Sequence, residues 1–162
     1  MRSSIARRLA LLTLLPAALL GAVVVAAPAQ AAVPTTIQLQ TDINYWTNRW
    51  RVKVGCPQLR LDATIARAAR NHSGWMARTG TFSHVGSAGS SFVTRVTAAG
   101  YRAPLAENIA WGYRSGAEVV SAWMASPAHR ANIVNCKAKS VGVGAVYAAN
   151  GTAYFTQDFG SR

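Results

Sequence analysis

Acidic residues, histidines and cysteines are all scarce in this sequence. Its 162 residues include five Asp or Glu, three His and two Cys, against 17 Lys or Arg. It contains no His-Glu-x-x-His motif, no Gly-x-Ser-x-Gly motif and no internal repeat. These absences argue against the common zinc-protease and serine-hydrolase sites, and they leave few residues that could carry chemistry.

The positive charge is spread along the chain. The formal net charge is +12 at pH 7, yet there is no dense run of Lys or Arg and no nucleic-acid module signature. We therefore expect a solvated basic surface and no specific nucleic-acid site. Such a surface favours polyanions such as wall polymers and lipid head groups. The scattered arginines include Arg60, Arg67, Arg70, Arg78, Arg95, Arg102, Arg114 and Arg130.

Residues 1–31 have the pattern of an export signal. Three arginines precede the apolar stretch Leu9–Ala27, and the small-x-small pattern Ala29–Ala31 follows it. The apolar stretch is long for a signal, so an uncleaved membrane anchor is the alternative. Cleavage after residue 31 would remove three of the 17 basic residues and none of the five acids, which leaves a net charge of +9. We expect residues 32–162 to be one secreted, extracellular domain, monomeric and without a membrane span.

The two cysteines, Cys56 and Cys136, predict one disulfide. An even pair in an exported chain is typical of a disulfide, because the extracellular compartment is oxidising. Neither cysteine has a second Cys or a His at metal-ligand spacing nearby. A metal-binding or catalytic role for them is therefore disfavoured.

Apolar periodicity predicts helices in the first half of the chain. The first helix carries a stripe of large apolar residues and ends near Gly55. The second is capped by Asp62, ends at Gly80, and has His72 on its apolar face. A third, shorter helix is expected to open at Ser90 or Ser91 and close at Gly100. The first-helix stripe is Leu39, Ile43, Trp46 and Trp50, the second-helix face adds Ile65, Ala68, Ala69 and Met76, and the third helix uses Phe92, Val93 and Val96.

The second half adds strands and two more helices. A strand is predicted at 107–112, and a hairpin at 141–148 and 152–159 around the turn Asn150-Gly151. Between them, Ser115 and Glu118 form a capping-box pattern, and Ser126-Pro127 resembles a helix N-cap followed by proline at the first helical position. The order of elements predicts an α+β fold with a small, mostly antiparallel sheet covered by helices.

Three residues remain as candidates for chemistry: His84 in a glycine-flanked loop, Glu107 at the start of a strand, and His129 in a short helix. Two imidazoles and a carboxylate would suit zinc or another divalent metal with an open coordination position. Their spacing alone does not bring them together. The other titratable residues are given structural roles: His72 in the core, Asp62 and Glu118 at helix caps, Asp42 in solvent, and Asp158 undecided.

Six blocks, in order, resemble a bacterial CAP domain, also called an SCP-like extracellular domain, over about residues 36–160. The blocks are Phe82-Ser83-His84, Gly100-Tyr101, Ala106-Glu107-Asn108-Ile109-Ala110, Trp123 to Ile133, Val141-Gly142-Val143-Gly144, and Tyr154 to Gly160. The resemblance implies a three-layer α-β-α sandwich with a broad cleft that holds two histidines and two acidic residues.

Residue by residue, His84 and His129 match the family's two histidines and Glu107 matches its first acid. The second acidic position is occupied by Ser126, which is a departure from the family pattern. His84 and His129 are thus the candidate metal ligands, with Glu107 as a further one.

Membership of this family leaves three functions open. The first is a non-enzymatic binding module whose cleft engages lipid, sterol or cell-envelope ligands. The second is a metal-assisted hydrolase or protease with Glu107 as the base. The third is electrostatic adhesion to anionic envelope polymers. We expect the binding module.

Overall fold

The computed structural model describes residues 32–162. The expectations for residues 1–31, a cleaved signal or an anchor, lie outside the described residues. The elements are α1 Thr36–Lys53, β1 Arg60–Leu61, α2 Ala63–Thr79, a 3-10 turn Ser87–Gly89, α3 Phe92–Ala98, β2 Pro104–Trp111, α4 Gly116–Ala125, α5 Pro127–Ile133, β3 Ser140–Tyr147 and β4 Ala153–Gly160.

The four strands form one sheet in the order β1-β3-β4-β2. The hairpin partners β3 and β4 are antiparallel, β2 is antiparallel to β4, and only the two-residue β1 runs parallel to its neighbour β3. The predicted small, mostly antiparallel sheet is therefore confirmed. β1 was missed because two residues are too short to show an alternating pattern.

Helices cover both faces of this sheet, so the predicted α+β class and the three-layer sandwich are confirmed. α2 and α3 pack on one face, and α1, α4 and α5 on the other. The larger core lies under α1 and α4 and contains Trp123, Phe155 and Phe159. In the part of the chain that the structure covers, no helix is both long and apolar enough to span a membrane.

Two glycines of β3 allow α2 to lie directly on the sheet. A Cβ atom at Gly142 would overlap the backbone of Ala66, and one at Gly144 would overlap the backbone of Ala69. The Ser73 hydroxyl completes the contact by donating to the Gly144 carbonyl at 3.2 Å. Because a hydrogen atom takes the place of each side chain, helix and strand meet backbone to backbone.

The buried stripe of α1 differs from the predicted one. Leu39 and Ile43 are fully buried as expected, but the stripe continues through Thr47 and Arg51. Trp46, which the apolar spacing places on the same stripe, is 38% exposed and lies off the buried face. A strict four-residue spacing runs through these buried positions, and hydrogen bonds make the polar members tolerable inside the protein.

Arg51 and the disulfide together tie α1 to the segment that enters the hairpin; we call this region the junction. Cys56 and Cys136 are bonded, as predicted, with their Cα atoms 5.0 Å apart. The Arg51 guanidinium donates to four backbone carbonyl oxygens at 2.8–2.9 Å. The acceptors are Pro57, Ile133, Asn135 and Ala138. A buried cation is satisfied here without any carboxylate.

Several local predictions need correction. Ser126 is the N-cap residue of α5 and Pro127 is at the first turn, but the Ser126 hydroxyl makes no capping hydrogen bond. Ser115 does accept from the Glu118 amide, whereas the Glu118 carboxylate accepts from the Arg114 amide and so does not close the capping box. β2 begins at Pro104, three residues before the predicted start, because the apolar pattern alone did not extend across the proline.

Candidate functional site

The candidate site begins with a contact between a loop and a strand. His84 lies in the loop after α2, and its Nδ1 is 2.7 Å from Oε1 of Glu107 on β2. The His84 side chain is 54% exposed, whereas that of Glu107 is 1% exposed. The carboxylate therefore lies beneath the imidazole and fixes its orientation, while the rest of the ring faces solvent. His84 is presented by its loop, as its glycine-flanked position predicted.

Arg95 of α3 holds the other side of Glu107. Its NH2 atom lies 2.5 Å from Oε2 of Glu107, and its NH1 atom donates to the backbone carbonyls of His84 at 3.0 Å and Ser90 at 2.7 Å. One guanidinium thus fixes both the carboxylate and the loop that carries the histidine. The expectation that Arg95 belongs to the solvated basic surface was wrong; the other seven arginines of the scattered set are exposed.

These contacts keep Glu107 ionised. Burial alone would raise the pKa of Glu107, but the hydrogen bond with His84 and the positive charge of Arg95 outweigh it and lower that pKa. Both carboxylate oxygens are occupied, one by each partner. Glu107 is therefore placed as a positioning group, because each oxygen already accepts a hydrogen bond and its side chain is only 1% exposed.

A second carboxyl group, that of Asp158, lies next to Glu107. Asp158 of β4 pairs in register with Glu107 of β2, is fully buried, and neither of its carboxyl oxygens has a hydrogen-bond partner. Burial raises the pKa of Asp158 well above its usual range, and the charge of Glu107 raises it further. Asp158 is therefore kept protonated where an exposed aspartate would be ionised.

His129 reaches the site on α5. Asn132 of the same helix donates to the Glu107 carbonyl at 3.2 Å and to the Asn108 side chain at 2.9 Å, and Asn108 donates to the His129 carbonyl at 3.3 Å. These bonds dock α5 against β2. Burial lowers the pKa of His129, and the charge of His84 lowers it further, so the two imidazoles share one electrostatic environment. Their convergence on one metal ion stays a prediction.

His72 supports the loop from behind. It is buried, as predicted, and its Nε2 lies 2.9 Å from the Ser83 carbonyl, next to His84 in the chain. Its ring stacks on that of Trp75 with the planes 9° apart. Burial lowers the pKa of His72, with a smaller contribution from Arg95. The neutral, buried imidazole of His72 thus anchors the loop that carries His84 and is itself shielded from solvent.

Ser126 does not replace the missing acid. Its hydroxyl forms no hydrogen bond with His84, Glu107 or His129 among the described residues. The second carboxyl group near Glu107 is that of Asp158, its register partner on β4. Sequence reasoning left Asp158 undecided and missed Arg95, although an acid two residues from the end of the last strand block was a signal that could have been followed.

The donor set limits which metal site is possible. Within residues 32–162, no group of three or more His, Cys, Asp and Glu side chains is placed to hold a metal ion together. With Glu107 committed to His84 and Arg95, the available ligands are the two imidazoles. Two imidazoles alone do not make up the three protein ligands of a catalytic zinc centre.

The fold, with His84 held by Glu107, is that of a CAP protein, and comparison with known proteins agrees. The CAP family, described as the cysteine-rich secretory protein family, matches residues 45–159, and the chain belongs to it. YkwD of Bacillus subtilis is 37% identical over 114 residues, which are 70% of this chain and 43% of YkwD. The membrane protein YlbC of the same organism is 34% identical over 117 residues, 72% of this chain and 32% of YlbC. The chain thus spans less than half the length of either relative.

Solved structures show the same fold. An outer surface protein of Borrelia burgdorferi has a TM-score of 0.72 at 21% identity, covering 80% of this chain and 96% of its own. An extracellular protein of Bacillus anthracis with an SCP domain has a TM-score of 0.67 at 27% identity, covering 76% of this chain and 40% of its own.

Proposed function

We propose that this protein is a secreted, non-enzymatic binding module whose cleft presents His84 and His129 to a divalent cation, such as zinc, and to a cell-envelope ligand. The observation that carries this proposal is the commitment of Glu107, whose two oxygens are taken by His84 and Arg95. A general base needs an oxygen that a water molecule can reach, and the Glu107 side chain is only 1% exposed. Glu107 therefore serves to orient an imidazole, which favours binding over hydrolysis.

Secretion is supported by three observations. The chain belongs to a family described as secretory. The Bacillus anthracis structure with the same fold is of an extracellular protein. The disulfide at the junction is of a kind that persists outside the reducing cytosol.

The chemistry of the cleft follows from the ring nitrogens. Because Nδ1 of His84 is engaged by Glu107, Nε2 is the nitrogen that remains for a ligand. A carboxylate behind an imidazole raises its strength as a metal ligand. With two protein ligands, a bound cation would take oxygen donors from its partner, and lipid head groups and wall polymers both offer phosphate or carboxylate oxygens.

Zinc titration by calorimetry tests the metal part of the proposal. His84→Ala and His129→Ala should each abolish the binding heat, and Glu107→Gln should weaken affinity about 10- to 100-fold, as for other carboxylates behind metal-bound histidines. His72→Ala is the matched control: it should lower the melting temperature and keep zinc uptake. Zinc binding that is unchanged by His84→Ala would refute the site.

The ligand part needs a second measurement. Vesicles with anionic lipid and purified wall polymer should each be tested with and without zinc. Binding that requires zinc and is lost in His129→Ala supports the cleft as the site. Binding that is unchanged by zinc and by both histidine substitutions would assign the interaction to another surface.

A further inference from the structure

A second surface, independent of the histidine cleft, lies on α1, in the helical layer opposite α2 and α3. It is a groove with a volume of about 880 Å³, and we call it the aromatic groove. Its lining includes Asn44, Tyr45, Trp46, Arg49, Trp50 and Lys53. None of the cleft residues takes part in it.

Aromatic rings are exposed along this groove. Tyr45 is 54% exposed and Trp46 is 38% exposed, with their rings 5.2 Å apart and nearly perpendicular. The apolar spacing places Trp46 on the same stripe as Leu39 and Ile43, yet its side chain is exposed. Neighbouring aromatic rings left open to solvent are typical of surfaces that bind a partner. Their flat apolar faces suit the C–H faces of sugar rings.

The groove also has an unused hydrogen-bond acceptor. The Oδ1 atom of Asn44 is shielded from solvent and has no partner. The neighbouring Asn48 shows the usual situation, because its side chain accepts from the Leu59 amide at 2.7 Å and donates to the Leu59 carbonyl at 3.3 Å. A shielded acceptor without a donor is costly, and a turn of the Asn44 side chain into the groove, where a ligand hydroxyl can donate to it, would relieve that cost.

The charged side chains that line the groove are all positive. Arg49 and Lys53 are the charged residues that line it, and no acid does. The Nζ atom of Lys53 lies 4.8 Å from the ring centroid of Trp50, so the cation is held beside an aromatic surface. An occupant that complements this lining has negative charges beside its apolar ring faces.

We propose that the aromatic groove binds an acidic polysaccharide. Its sugar rings stack on Tyr45 and Trp46, a hydroxyl donates to Asn44, and its carboxylates or phosphates pair with Arg49 and Lys53. This site does not depend on the metal cleft, so either proposal can fail while the other stands.

Polygalacturonate is the probe, because it combines sugar rings with carboxylates. Its methyl ester keeps the rings without the charge, and inorganic polyphosphate keeps the charge without the rings. Polygalacturonate should bind and quench or shift tryptophan fluorescence. Each of the other two should bind at least about ten-fold more weakly, which corresponds to about 1.4 kcal/mol.

Trp46→Ala and the double variant Arg49→Gln/Lys53→Gln should each weaken polygalacturonate binding about ten-fold or more. The matched controls are Trp111→Ala, an exposed tryptophan outside the groove, and Arg114→Gln, an exposed arginine outside it. Both should bind as the unaltered protein does. The double variant changes only exposed side chains, so it tests the site even where Trp46→Ala fails to fold.

Three outcomes would overturn the proposal. Equal binding of polyphosphate and polygalacturonate, unaffected by Trp46→Ala, would assign the interaction to general surface charge. Concentration-dependent self-association that Trp46→Ala removes, without polysaccharide binding, would make a second copy the occupant. Binding only to lipid vesicles would make it a membrane surface.

Discussion

Arg51 and Arg95 both lie inside this protein, yet they organise two different regions. At the junction, Arg51 donates to four backbone carbonyls and contacts no carboxylate. In the cleft, Arg95 pairs with Glu107 and also holds the carbonyl of His84. The first guanidinium fixes where chain segments cross. The second fixes the ionisation and orientation of side chains.

The loss of Arg51 and the loss of Arg95 should therefore affect different properties of the protein. Removing the partner of a buried carbonyl leaves that group unsatisfied and destabilises the whole fold. Removing the partner of Glu107 leaves a charge that can be neutralised by a proton, so the fold loses less but the site changes its chemistry. Variants of the two regions should therefore differ in which measurement they affect.

The largest effect is expected from the disulfide of the junction. Replacing both Cys56 and Cys136 with Ser should lower the free energy of unfolding by about 4–5 kcal/mol, because the cross-link joins residues 80 apart in sequence and restricts the unfolded chain. Urea unfolding measures it, with reductant added to the unaltered protein as the control. A loss below about 1 kcal/mol would mean that Arg51 alone holds the junction.

Arg51→Met should lower the free energy of unfolding by about 3 kcal/mol or more, because buried carbonyls lose their donors. Arg60→Met, at an exposed position, is the control and should change it little. Histidine NMR signals of the folded variant should match those of the unaltered protein. Perturbed His84 signals would show that the two regions are coupled.

Arg95→Met should lower the free energy of unfolding by about 2–3 kcal/mol. This loss is smaller than that usually caused by an unpaired buried charge, because Glu107 can take up a proton. The lowered pKa of Glu107 means that its ionised form stabilises the fold above its ordinary value of 4.5, and that this contribution is lost as pH falls. Without Arg95 the contribution shrinks, so the deficit should be larger at pH 7 than at pH 4. Denaturant unfolding at pH 7 and pH 4 measures the loss of stability, and NMR of His84 measures the change in its surroundings. An equal loss at the two pH values with unchanged His84 signals would contradict the role of Arg95.

Asp158→Asn should change the free energy of unfolding least among these variants, and it should raise it at pH 7. The raised pKa of Asp158 means that its stabilising contribution is present below the ordinary value of 3.8 and is lost as pH rises toward the folded pKa. Asn stays neutral, so the variant should have a higher free energy of unfolding than the unaltered protein at pH 7, and the difference should shrink at pH 3.5. Thermal melts at pH 3.5 and 7 measure this, with Asp42→Asn as an exposed-acid control. A destabilised variant at pH 7 would indicate that Asp158 is ionised and paired.

Elements with local signals could be predicted from the sequence. Asp62 and Gly80 bound α2 as expected, with the Asp62 side chain accepting from two helix amides and Gly80 at φ +68°. The hairpin came within one residue of its predicted bounds, because Asn150-Gly151 is a strong turn signal and Gly151 has φ +81°. In each case the residues that determine the structure are neighbours in the chain.

The parts that were missed depend on distant neighbours. Arg95 pairs with a glutamate 12 residues away, and Asp158 meets the same Glu107 across two strands. The resemblance to the CAP family pointed to His84, Glu107 and His129, but not to Arg95, which holds the other oxygen of Glu107. The exposure of Trp46 was missed because apolar spacing cannot tell a buried face from an exposed one.

The backbone contact between α2 and β3 has a consequence for how the protein can adapt to its ligands. Where Gly142 and Gly144 bring the two backbones together, there are no side chains to rearrange, so this layer has little room to compress or slide. The position of α2 on the sheet is thus mechanically stiff. Larger movements near His84 and His129 are expected on the side of α5, which is held to β2 through the amides of Asn108 and Asn132.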